Sequence, residues 1–223
     1  MSNAVAMPSI QAHISTSSPV FDLTSSAPFT ISIDLFLQHL CELTFPKFAS
    51  TLFNSSIFNE GGLTFTDTST GIDVPRGRLE LCAWDHDGAL RKENEQCFMT
   101  LRPGQKHTIT AEMARIETRV KGSVEIGPIT TVEEHAAAME KLPKVWKWRH
   151  ARKLEDGKTY RVGIDQDASI KQWLEGSKQE LLSKPLADRR EGKMCTEPVQ
   201  FHVVQPACFT VQRPDTDGSL DWP

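Results

Sequence analysis

The sequence predicts a mainly β protein, an antiparallel β-sandwich with short helical insertions. Three observations carry this. Apolar side chains recur at every second position: Phe29, Ile31, Ile33, Leu35 and Leu37 alternate with Thr30, Ser32, Asp34 and Phe36, and Leu79, Leu81 and Ala83 share one face of Arg78 to Trp84. Turn-forming residues separate these runs. In Cys97 to Met113, Pro103-Gly104 supplies the fixed φ and the positive φ of a tight turn between two alternating flanks. Finally, about seven short strands follow one another with no βαβ rhythm, which is a sandwich pattern.

Taken in order, residues 1–27 are rich in Ser, Thr, Ala and Pro and read as a flexible arm. Phe29 to Leu37 reads as the first strand, and over Leu35 to Leu43 a helical reading competes. Leu43 to Asn59 is apolar but aperiodic, a packed loop with room for a short helical turn. Gly61-Gly62 opens a strand over Leu63–Asp67, Thr68 to Gly71 is a turn, and Asp73 to Pro75 is extended. Arg78–Trp84 is a strand that Asp87-Gly88 reverses, and the Pro-Gly hairpin follows.

Between Arg115 and Asp156 the composition shifts. Thr131-Val-Glu-Glu134 is a capping box, in which the Thr oxygen accepts from the N3 amide and Glu134 reaches back. Good helix formers run from His135 to Leu142, and Pro143 stops them. Thr159–Ile164 returns to strand. Capping boxes at Ser169 and Ser177 predict a short helix around Trp173 and another ending near Pro185. Arg189 to Lys193 is a polar loop, and Val199–Val204 and Cys208–Val211 are the last strands, broken at Pro206-Ala207. The expected organisation is therefore an arm (1–27), one sandwich domain (28–213) with a helical and basic insertion at 115–156, and an extended tail (214–223).

Bulk chemistry narrows the function. A net charge of -4 argues against binding nucleic acid through total charge. No apolar run approaches the ~18 residues of a membrane span. The start lacks a signal-peptide pattern, and the 5 cysteines are scattered with no Cys-x-x-Cys pair, so a reduced cytoplasmic chain with cysteines as small core residues is expected. Catalytic motifs fail one by one. Gly157-Lys158-Thr159 ends like a phosphate loop, but Arg152 stands at the required Gly and a strand follows. Asp85 and Asp215 begin calcium-loop patterns, yet the closing position is Gln96 in the first, and the second runs off the chain. The 7 histidines show neither zinc spacing nor a His-Glu-x-x-His, and no Gly-x-Ser-x-Gly exists. A Cys-His pair assembled through space stays open, since such pairs need not be close in sequence. No cofactor, metal or catalytic residue is assigned.

One segment departs from this background. Lys141 to Lys153 holds Lys144, Lys147, Arg149 and Arg152 interleaved with Trp146 and Trp148, and no acid. Strand alternation puts both Trp on one face, with Lys147 and Arg149 on the other. Lys144, Trp146, Lys147, Trp148, Arg149 and Arg152 are therefore the candidate partner-binding residues. The competing reading packs the two Trp on the sandwich and leaves the bases as a solvated edge.

Leu63 to Gly71, Phe98 to Gly104, Tyr160 to Ile164, Trp173 to Leu182 and Phe209 to Val211, in that order, resemble a group of uncharacterised proteins of filamentous fungi that are expected to be immunoglobulin-like sandwiches. The hairpin alone is also similar to β-sandwich propeptides of fungal metalloproteases. The resemblance implies an immunoglobulin-like fold and passes on no catalytic residue. The expected function is a non-enzymatic intracellular protein-interaction module whose partner is another protein, with no membrane, and nucleic acid bound through the basic segment is kept only as a third option. The alternative is an enzyme or small-ligand binder with a site assembled at one end of the sandwich.

Overall fold

The computed structural model describes residues 7–53, 57–58, 61–75, 88–119, 131–140, 144–148 and 150–213. It is mainly β. Its strands are β1 (Ser9–Thr16), β2 (Val20–Asp22), β3 (Phe29–Gln38), β4 (Leu43–Pro46), β5 (Leu63–Asp67), β6 (Phe98–Leu101), β7 (Lys106–Met113), β8 (Arg115–Arg119), β9 (Lys144–Trp148), β10 (Thr159–Ile164), β11 (Leu174–Glu175), β12 (Gln200–Gln205) and β13 (Ala207–Gln212). Among the described residues two short α-helices, α1 (Val132–Glu140) and α2 (Lys178–Ser183), join them.

Two four-stranded sheets, ordered β12-β1-β3-β7 and β2-β13-β10-β5, form the sandwich. Alternation builds their shared interior. Ile10, Ala12 and Ile14 of β1 and Ile31, Ile33 and Leu35 of β3 are buried in one cluster with Phe65, Tyr160, Val162, Phe209 and Val211 of the opposite sheet. Phe29 and Phe209 meet across the layers with ring centroids 5.0 Å apart. Each such aliphatic or aromatic side chain contributes about 1.5–3 kcal/mol on full burial. A three-stranded sheet, β11-β4-β6, and a two-stranded ribbon, β8-β9, flank the sandwich. A satellite core of Leu90, Phe98, Leu174, Leu181 and Met194 seats α2 against the three-stranded sheet.

Most ladders are antiparallel, as expected. Two are parallel: β1 with β12 and β2 with β13. The first two strands thus run beside the last two and change sheets with them, near Ser17–Pro19 and at Pro206. The Thr210 amide donates to the Pro19 carbonyl at 2.9 Å along this path.

Four expectations need correction. Residues 1–27 are not a flexible arm throughout: β1 lies between β12 and β3 in the centre of its sheet, because Ile10, Ala12 and Ile14 present a full apolar face. The Pro-Gly segment is a turn but not a hairpin. The Gln105 amide donates to the Arg102 carbonyl at 3.2 Å, and Gly104 has a φ of 69°, yet β6 pairs with β4 while β7 runs along β3 from Phe29↔Met113 to Phe36↔Lys106. The turn therefore carries the chain between sheets. No helix forms around Trp173. Its amide and carbonyl pair with Cys195, its indole N–H donates to the Glu197 carbonyl at 2.9 Å, and the chain stays extended. Cysteines are also less interior than expected: Cys41 and Cys208 are exposed.

The capping boxes at Thr131 and Ser177 form as read, each with reciprocal Ser/Thr and Glu bonds. The strand expected at Arg78–Trp84, the Pro143 stop and the tail beyond 213 lie outside the described residues. No helix among the described residues is long and apolar enough to cross a membrane.

Candidate functional site

A groove of about 520 Å³ opens where the three-stranded sheet meets the sandwich. It is lined by Phe98 to Leu101 of β6, by Arg102, Gln105, Lys106 and His107, and by Ser177, Lys178 and Gln179 at the start of α2. Lys47 also lines it. The Pro103-Gly104 turn shapes it, because by steering β7 away from β6 it leaves β6 at the edge of its sheet. On that outer side β6 pairs with no strand among the described residues.

The lining is one-signed. Lys47, Arg102, Lys106 and Lys178 reach it, and among the described residues no Asp or Glu does. Two of these cations are already held from behind. Arg102 Nε bonds Glu42 at 2.7 Å, and Lys106 Nζ bonds Asp34 at 3.2 Å. The Thr108 hydroxyl, at 2.6 Å, and then Lys106 hold the Asp34 carboxyl below its usual range. Lys178 Nζ donates to the Glu95 and Phe98 carbonyls, each at 3.3 Å, so its charge is positioned but not neutralised. Lys47 and Lys178 pair with no carboxylate among the described residues. Burial lowers His107 below its usual value, which favours its neutral form. The lining therefore carries a positive excess from Lys47 and Lys178, with Arg102 and Lys106 held in ion pairs, beside apolar strand surface at Met99 and Leu101.

The Trp and basic residues singled out from sequence lie elsewhere. Lys144, Trp146, Lys147 and Trp148 belong to β9, which pairs with β8 from Arg115↔Trp148 to Arg119↔Lys144. Trp148 is a core residue: it is buried, packs edge-on against Phe21 at 5.0 Å, and its indole N–H donates to the Leu23 carbonyl at 2.9 Å. Arg152 is exposed. Arg149 and the side chains of Lys144, Trp146 and Lys147 lie outside the described residues.

Sequence reasoning missed Lys47, Arg102, Lys106 and Lys178 because they come from three separate segments, with no dense local cluster to notice. The available signal was Arg102 and Lys106 flanking the Pro-Gly turn. No family model, no curated protein and no solved structure matches this chain.

Proposed function

We propose that this chain is a non-enzymatic protein-interaction module whose groove takes an extended, acidic segment of another protein. The observation that carries this is a groove lining that holds Lys47, Arg102, Lys106 and Lys178 with no carboxylate among the described residues. Charge complementarity selects an acidic occupant. The outer edge of β6, which pairs with no strand among the described residues, selects an extended one, since a strand added there gains main-chain hydrogen bonds as well as side-chain contacts. A cytoplasmic location fits the free thiols of Cys41, Cys97, Cys195 and Cys208. The likeness to fungal immunoglobulin-like sandwiches belongs to the same proposal, and the paired four-stranded sheets support it.

Fluorescence anisotropy with a labelled oligoglutamate peptide and the full chain tests this reading. Saturable binding should weaken as salt rises, because the cations are solvent-facing and screened. Lys47→Glu combined with Lys178→Glu should weaken it more than about tenfold, with an unchanged melting curve. Binding that the double substitution leaves intact would reject the groove. Tighter binding of a single-stranded oligonucleotide of equal charge would reject the acidic-peptide occupant.

A further inference from the structure

We propose that His39, Cys41 and Glu175 form a three-ligand site for a divalent cation of the zinc class, with the fourth position open to water. One ligand atom from each lies within 4.8 Å of the other two. His39 Nε2 is 3.9 Å from Glu175 Oε1. Bond lengths near 2.0–2.3 Å put the ligands of a tetrahedral zinc about 3.3–3.8 Å apart, so small side-chain rotations close the set. Nitrogen, sulfur and oxygen donors together suit a borderline-soft cation better than a hard one such as calcium.

The backbone holds the three in place. His39 and Cys41 stand on either side of Leu40, which is 92% exposed at the tip of the turn leaving β3. Glu175 reaches the same place from far along the chain, because β11 pairs with β4 at Glu175↔Leu43 and the Gly176 amide donates to the Glu42 carbonyl at 2.8 Å. The His39 side chain is 5% exposed, which fixes its imidazole, while Glu175 is 55% exposed and Cys41 is exposed, leaving the cation a way in.

Neighbouring carboxylates are committed elsewhere. Glu42 is held by Arg102 at 2.7 Å. Glu180 Oε2 accepts from the Ser177 amide at 2.9 Å and from its hydroxyl at 3.0 Å. Neither is free to complete the shell, which leaves the fourth position to solvent.

The rival reading is a Cys-His nucleophile. The Cys41 thiol lies within 4.8 Å of a Glu175 carboxylate oxygen, whereas a nucleophilic thiolate needs a cationic neighbour. A bound cation supplies the missing positive charge. It takes Cys41 as thiolate and releases the thiol proton to solvent, with no change of oxidation state.

Cobalt(II) titration of the reduced full-length chain tests the site. The expected result is visible absorption of tetrahedral cobalt with a near-ultraviolet thiolate-to-cobalt band, saturating at stoichiometric metal. Cys41→Ser should abolish the thiolate band. Glu175→Gln should weaken binding more than about tenfold, since losing a ligand costs at least what losing its outer-shell support does. Cys208→Ser, an exposed thiol elsewhere, should leave both unchanged. Absence of a thiolate band in the folded wild-type chain, or a band surviving Cys41→Ser, overturns the proposal. Cys41 and Glu175 are surface groups, so circular dichroism should confirm that both variants fold.

Discussion

Trp148 joins two interactions in one side chain. Its ring fills space against Phe21, and its N–H satisfies the Leu23 carbonyl in the loop after β2. Trp148→Ala should destabilise the fold by about 3–5 kcal/mol in chemical denaturation, as expected for a buried Trp truncation. Asp67 shows how local hydrogen bonds become pH dependence. The Ser69 hydroxyl at 2.6 Å, the Ser69 amide at 2.8 Å and the Lys158 ammonium at 3.2 Å hold its carboxyl down at about 2. A folded-state value below the ordinary 3.8 means that ionised Asp67 favours the folded chain. That stabilisation is whole above the ordinary carboxylate value, fades as pH falls towards about 2, and is gone below it. Asp22 and Asp34 are lowered too and reinforce the trend. Denaturation midpoints measured down the acid range should therefore fall for the wild type and fall less steeply for Asp67→Asn.

Single elements owe their form to a few residues. The Arg102–Gln105 turn needs Gly104 at a φ of 69°, although a Cβ there would meet nothing within 4 Å. Gly104→Ala should thus cost about 1 kcal/mol through backbone strain alone, and Gly104→Asn less. α2 depends on its cap, where Ser177 accepts from the Glu180 amide. Ser177→Ala should cost about 1 kcal/mol in the same assay. Capping boxes also show how far sequence reaches at this scale. Thr131 and Ser177 started helices as read. Ser169 did not, because Ile170 and Trp173 found extended partners in Val199 and Cys195, and tertiary hydrogen bonds override a local signal.

At the scale of the whole molecule, alternation told which segments are strands and little about where they pair. β3, β5, β10, β12 and β13 lie where their periodicity placed them. Pairing was hidden because neighbours in sequence, β6 with β7 and β12 with β13, part into different sheets, and the parallel partners of β1 and β2, which are β12 and β13, lie far along the chain. The groove was hidden for the same reason: its cations meet only after β6 and α2 have docked. β1 itself was legible in Ile10, Ala12 and Ile14, but the Ser- and Pro-rich composition around it masked the pattern. The sandwich rests on that strand, which ties β3 to β12 and so the start of the chain to its end. Native-state amide hydrogen exchange tests this most directly. Amides of Ile10 to Ile14 should be among the slowest to exchange, matching those of β3. Exchange there at the rate of a free peptide would contradict the architecture.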